Sequence, residues 1–379
     1  MPLRKGKYDR HLKLTNSLKE KSEKMKKVNI VFGNHNTVNA IEDYIYFLAK
    51  TFSALPFKVV ISKEIIDDAD ILVMQEDFKR RNVKEVLEYK KDRAKKLVVV
   101  VTENISGDSF NDNLGVASIL DKKDDLERLA ESQVRARNWP TYILKRYLLN
   151  MKRDLRGFRN IIQRVHDDHL GVLKKRHMNF LQVGPQCDQV WIMPGLKTEP
   201  YEKLFGSKLA AFPFVLSSAK RRDPDLFISR ALLSGKISYH RRCLLNFLDF
   251  EELLKGKLVE TKKRRVLISS FETPLSVRWE LLKTAAVYLD LPVSDDSQIF
   301  SSMKAAIAIE AGAPFFSLTS GDPGRFGPFC RTFQDIRSLK DNLEACTSED
   351  LVELGANFSA QAANIFSPSA YPFLQELAS

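Results

Sequence analysis

Apolar residues in this chain fall into short unbroken runs separated by stripes at helical spacing. Val28 to Gly33 is such a run and gives way to the polar loop Asn34 to Thr37. Ile41, Tyr44, Ile45, Leu48 and Phe52 then recur on one face of a predicted helix. Runs at Phe57 to Ser62, Asp70 to Gln75 and Leu97 to Val101 predict three more strands, with a charged helix from about Val83 to Arg93 before the last. Unbroken apolar runs, unlike alternating ones, suit parallel strands covered on both faces. Strand and helix in alternation mean a doubly wound sheet.

Residues 124–182 read as mostly helical, with Pro140 and Gly157 as breaks. A strand at Gln189 to Pro194, a short helix at Thr198 to Gly206 and a strand at Lys208 to Phe214 complete the first half. The polar stretch Ser217 to Asp225 reads as a linker. The alternation then repeats. A strand at Asp225 to Ser229 is followed by a helix at Ser238 to Leu254, and strands at Val266 to Phe271 and Val287 to Pro292 flank a helix around Trp279. A helix from Ser302 runs into Gly312 and Pro314, and Phe315 to Leu318 is the last clear strand. The expected architecture is α/β, two Rossmann-like halves facing a cleft. Residues 1–27 form a basic leader, 28–216 and 217–350 the two halves, and 351–379 helices that pack back on the first half.

Composition refines this picture in two places. Hydrophobic content of 44% with 28% charged residues describes a globular chain, and no apolar run reaches the length of a membrane span. The four cysteines lie far apart without metal-ligand spacing, which fits reduced thiols in a cytoplasmic protein. The net charge of +12 is concentrated: residues 1–27 and 145–176 each carry ten Lys/Arg against three acids, so the remainder is −2. Two local patches suit an anionic membrane surface or a phosphate-bearing substrate better than a continuous nucleic-acid groove. No Walker A, dinucleotide-loop or zinc-protease pattern is present.

The candidate chemistry sits where apolar strands end. Ligands of open α/β sheets bind beyond the carboxyl ends of the strands. His35, between Asn34 and Asn36, follows the first strand; Glu76 and Asp77 follow the third; Glu103 and Asn104 follow the fourth. Glu103 is the sharpest candidate base, because a carboxylate beside Leu97 to Val101 sits at a low-dielectric edge. His35 is a second catalytic candidate. Glu42 and Asp43 most simply answer the dipole of their helix's first turn. In the second half, Gly235 permits close backbone approach to a phosphate, and Lys236 supplies a mobile charge. Gly321 to Gly327 reads as a surface turn.

Ser302 to Ser317, with Glu310 two residues before Gly312, resembles the donor-binding segment of GT-B glycosyltransferases. The order of segments over roughly residues 28–330, including Asp225, Phe227, Ser234-Gly235-Lys236 and His240-Arg241-Arg242, is similar to that of the same enzymes, particularly the group related to spore-coat maturation proteins. The resemblance implies transfer of a hexose or acid sugar from a nucleotide sugar to a glycan, lipid-linked or protein acceptor. It places the donor at Gly235, Lys236, His240 and Arg241 and at Ser301, Ser302, Lys304, Glu310 and Gly312. Placed cations then do the work, with no cofactor and no obligatory metal. The chain departs from the pattern at Ile307, where many such enzymes carry a ribose-binding glutamate. A nucleotide-sugar epimerase of the same layout and a basic nucleic-acid-binding protein are the alternatives, the latter lacking any RNA-binding aromatic motif. The expected location is cytoplasmic, with residues 1–27 drawn to the inner face of an anionic membrane.

Overall fold

Two six-stranded parallel sheets account for the apolar runs in the computed structural model, which describes residues 25–32, 42–106, 109–110, 171, 174–235, 239–248, 250–252, 264–269, 273–292, 300–319 and 321–378. The first sheet begins with β1 (Lys26–Val31), α1 (Glu42–Ser53), β2 (Phe57–Ser62) and β3 (Ile71–Gln75). It continues through α2 (Arg80–Tyr89) and β4 (Lys96–Val101). The two-residue strands β5 (Ile105–Ser106) and β6 (Ser109–Phe110) form a separate antiparallel pair. Residues 174–183 are helical (α3), and β7 (Gln189–Ile192), α4 (Glu199–Phe205) and β8 (Leu209–Ala211) close the sheet. Its order is β2-β1-β3-β4-β7-β8. All of β3 and the whole of Leu97 to Val101 are buried, which is why these strands carry no polar alternation.

The second sheet is built from β9 (Ser229–Ser234), α5 (Tyr239–Phe247), β10 (Phe250–Glu252), β11 (Arg264–Ser269), α6 (Leu275–Lys283) and β12 (Ala285–Asp290). It ends with α7 (Ser302–Glu310), β13 (Phe315–Leu318) and β14 (Arg331–Phe333), in the order β10-β11-β9-β12-β13-β14. Three expectations shift. The strand expected at Asp225 begins at Ser229, because Pro224 opens a 3-10 turn whose cap is the Asp223 side chain. The helix expected to reach Leu254 stops at Phe247, and Phe250–Glu252 becomes an edge strand. The loop at Gly321 tightens into a 3-10 turn, Gly324–Phe329, that drives Phe326 fully into the core. The basic leader up to residue 24 and the stretch at 124–170 that was expected to be helical lie outside the described residues.

One apolar core runs through both halves. It joins Phe47, Phe52 and Trp191 of the first to Phe300, Phe315 and Phe326 of the second. The C-terminal helices α8 (Ile336–Ala345), α9 (Ser348–Ile365) and α10 (Pro372–Ala378) divide their attachments. In α9 Ser359 accepts a hydrogen bond from the Ala219 N–H at 2.8 Å, which binds the linker. The segment around α10 reaches the first half instead. Gln189 Nε2 donates to Phe373 O at 3.2 Å, Lys26 Nζ to Leu377 O at 3.3 Å, and Tyr371 OH to Phe214 O at 2.9 Å. Among the described residues no helix is long and apolar enough to cross a membrane.

Helix α9 meets the end of α7 backbone to backbone. A Cβ on Gly355 would lie 2.2 Å from Gly312 O and 3.0 Å from Pro314 Cδ. Glycine to alanine inside a helix ordinarily stabilises by up to about 1 kcal/mol. Here overpacking wins, because the neighbouring atoms are backbone and a proline ring and have nowhere to go. Gly355→Ala is expected to lower stability by roughly 1–3 kcal/mol, read as a lower urea midpoint at unchanged m-value.

Candidate active site

The second sheet changes winding direction at β9, which lies between β11 and β12. A crevice opens beyond the carboxyl ends of the strands at such a point. Gly235 follows β9 with φ of +111°, a conformation L side chains rarely adopt, and a Cβ there would stand 3.0 Å from Arg241 Nη1. Arg241, in the first turn of α5, is buried, and its Nε donates to Leu291 O at 2.8 Å just past β12. Ser234 and Tyr288 share a hydrogen bond between their hydroxyls beneath it. From α7, Lys304 Nζ reaches Asp290 Oδ1 at 2.6 Å, while Ser317 Oγ, next to Asp290 in register, lies 3.4 Å from Oδ2. Burial lowers the proton affinity of Lys304, with Arg241 acting in the same direction and Asp290 opposing it. Arg241 is lowered by burial too. Two desolvated cations therefore meet the Asp290 carboxylate, with Asp43 also within electrostatic reach of Lys304, beside the start of a helix.

The expected donor residues divide along α7. Gly235, Arg241 and Lys304 come together at the carboxyl ends of β9 and β12, with Ser301 and Ser302 at the helix start and His240 half-buried beside Arg241. Glu310 and Gly312 lie at the other end of the helix. Glu310 accepts from Lys50 Nζ at 2.5 Å, Tyr46 OH at 3.1 Å and the Ser217 N–H, so it ties α1 and the linker to α7. A Cβ on Gly312 would lie 3.2 Å from Lys220 O, again at the linker. Lys236 and His35 lie outside the described residues. Glu42 and Asp43 do more than answer a dipole. Glu42 Oε2 accepts the Leu275 N–H at 2.6 Å, and Asp43 takes both arms of the Arg278 fork, one of them at 2.6 Å. Their partners come from the other half, more than two hundred residues later, where local sequence could not point.

The facing wall carries carboxylates. The first sheet changes direction between β1 and β3, and Glu76 follows β3 directly. It is fully buried; Oε1 accepts from the Thr102 N–H at 3.1 Å and Thr102 Oγ1 at 2.8 Å. Glu103 Oε1 accepts from Arg176 Nη2 at 2.9 Å, and Arg176 Nε donates to Asp77 Oδ1 at 2.8 Å. Glu76 Oε2, Glu103 Oε2 and Tyr44 OH are buried without a hydrogen-bond partner among the described residues. Burial first, and then the charge of Glu103, pushes Glu76 up to about 8. Glu103 also rises through burial, against the pull of Arg176. Glu76 stood in the sequence as a strand-end acid, and the signal that singles it out is its position just past the apolar run Ile71 to Met74, at the end of a wholly buried strand. Arg176 lay unremarked in a basic segment. Between the walls is a cavity of about 260 Å³, lined by Asp43, Tyr44, Gln75 and Thr102 on one side and Phe300 to Met303 on the other.

No protein-family model and no curated protein sequence matches this chain. Solved structures do. An alpha-glucosyltransferase in complex with UDP and a 13-mer DNA aligns over 93% of this chain and 98% of its own, with a TM-score of 0.51 at 8% identity. TarM aligns over 83% of this chain and 55% of its own at TM-score 0.40 and 10% identity. The lipopolysaccharide outer core galactosyltransferase WaaB aligns over 93% and 100% at TM-score 0.39 and 9% identity. The fold is that of the GT-B glycosyltransferases, and the first of these alignments carries the likeness.

Glu76 gives the site a measurable signature. A carboxyl whose folded pKa is raised contributes stability that is present below its unfolded pKa and lost as pH rises through the folded value. The window here runs from about 4.5 to about 8. Glu76→Gln, which cannot ionise, should gain on the wild type across that window by up to about 1.4 kcal/mol per pH unit. Urea melts of both proteins at pH 5.5 and 7.5 check this: the difference between them must move in favour of the variant at the higher pH.

Proposed function

We propose that this chain transfers a sugar from a nucleotide-activated donor to an acceptor hydroxyl. The observation that carries the reading is the pair of buried cations, Arg241 and Lys304, beside the start of α7 at the winding-switch of the second sheet, opposite a wall of carboxylates. Cleavage of the bond between the sugar carbon and the phosphate oxygen sends negative charge onto the departing nucleotide. Arg241, Lys304 and the backbone N–H groups opening α7 meet that charge in a site largely shielded from water. The acceptor hydroxyl attacks from the side of the first half and loses its proton to the Glu76–Glu103 pair. Glu103 is the member of the pair with 21% of its side chain exposed, so it takes the proton.

The donor is a nucleotide diphosphate or CMP-activated hexose or acid sugar, and the acceptor a polysaccharide, glycolipid or glycoprotein. The alpha-glucosyltransferase of like fold is solved with UDP, which supports a nucleotide-linked donor. Within the reading, residues 1–27 hold the chain at an anionic membrane of the cytoplasm where a cell-surface acceptor is assembled.

A thermal-shift panel of nucleotides and nucleotide sugars tests the donor half. A ligand at a hundred times its dissociation constant adds about 2.7 kcal/mol, and stabilisation by none of them overturns the proposal. Lys304→Ala should weaken nucleotide binding. Glu103→Gln should bind nucleotide like the wild type and lose about 10²-fold in kcat. Full activity in the glutamine variant removes Glu103 from the chemistry.

A further inference from the structure

Arg278 is a buried cation whose fork is taken up by the other half of the molecule. Its Nε donates to Thr273 O at 3.1 Å, Nη1 to Asp43 Oδ2 at 2.6 Å, and Nη2 to Asp43 Oδ1. Asp43 lies on the wall of the inter-half cavity together with Ser301 and Ser302, and Arg278 lies behind it. The same carboxylate lies within electrostatic reach of Lys304, and Lys304 in turn feels Asp290 and Arg241. Tyr288, at the centre of the group, feels Asp43, Arg278 and Asp290 together. Three cations, Arg241, Arg278 and Lys304, thus converge at the ends of β9 and β12 with two carboxylates set among them. Glu42 stands at the edge, held on the Leu275 N–H.

A carboxylate and a phosphate offer an arginine the same feature, two oxygens at the spacing of its fork. Asp43 comes from the first half, with Glu42 beside it at the edge of the cluster, and it sits between Arg278 and the cavity. We propose that Arg278 is a further ligand of the donor's phosphate, and that Asp43 holds its fork as an internal stand-in for phosphate until the donor enters. This rests on the glycosyl-transfer reading and adds to it a third phosphate-binding cation and a competitor built into the chain. Donor entry exchanges a bond between the halves for a bond to ligand, so the apparent affinity of the free protein is reduced by the fraction in which Asp43 occupies the fork.

Inorganic pyrophosphate is the probe, because it carries the shared chemistry without a base or a sugar. Calorimetric titration of the full chain should give binding about fivefold or more tighter for Asp43→Asn than for the wild type. Binding to Arg278→Gln should be about tenfold weaker, and adding Asp43→Asn to that variant should bring no tightening. Asp43→Glu, which keeps the charge but spoils the two-point fit, should tighten binding by a smaller factor and gives a second reading if the asparagine variant does not fold. Equal or weaker binding by the folded Asp43 variants overturns the inference, as does tightening that survives without Arg278. A wild type that binds no pyrophosphate overturns it too. Wild type and variants that behave as expected toward pyrophosphate while turning over no nucleotide sugar would sink the glycosyl-transfer reading and leave the anion site standing.

Discussion

The continuous aromatic seam between the halves is the constraint on which the rest of the structure depends. Phe47 of α1 packs on Phe214, just before the linker, with ring centroids 5.3 Å apart, Phe214 on Phe326 at 5.2 Å, and Phe326 on Phe366 at 4.7 Å. Phe300 joins through Phe315 at 5.8 Å. These rings are buried to within 1% of completely. Each large side chain removed from water contributes about 1.5–3 kcal/mol, and edge-to-face geometry adds to that. Phe300 immediately precedes Ser301 and Ser302. The seam therefore decides where α7 begins and what its first N–H groups face, and a Cβ on Gly195 of the first half would stand 2.8 Å from Phe300 O. An apolar contact thus aims a polar site.

On that foundation the two walls carry opposite chemistry. The second half holds Arg241 and Lys304 around Asp290, and the first half holds Glu76 and Glu103 with Arg176 and Asp77. Neither set is cheap to bury, since ionic pairs lose much of their attraction to the cost of leaving water. Such groups persist where a reaction needs them already oriented. In the proposed transfer, charge moves onto a phosphate and a proton onto a carboxylate. Neighbours of both destinations, Thr102 beside Glu76 and Ser301 to Met303 just before Lys304, line opposite sides of one cavity.

Much of this was readable along the chain, and the failures have two causes. Buried strand segments, such as β3 and Leu97 to Val101 of β4, announce themselves as apolar runs, and the acids that follow them mark strand ends at the cleft. The turn at Gly235 and the helix from Ser302 were legible because backbone geometry demands particular residues there. The edge strands β10 and β14 were not, each being three residues long and too short to show a period. Asp43, Arg278, Arg176 and Glu310 escaped for a different reason. Their roles lie in partners far away in sequence, and a carboxylate in a helix's first turn looks the same whether it faces water or a buried guanidinium. The ion pairs between halves are tertiary facts with no local signature.

The attachment of the last helix has a consequence for synthesis. Gln189, Phe214 and Trp191 of the first half complete their contacts only with Phe373 and Tyr371, and Leu374 and Leu377 are buried against the core shared with that half. On a ribosome adding about 5–20 residues per second, roughly 8–30 s separate the emergence of β8 from that of α10. During that interval the first sheet is made but unsealed, with an apolar flank in water. The C-terminal helix is thus the closing stitch of the N-terminal half, and a chain that stalls within the second half leaves the first one open to chaperones and proteases.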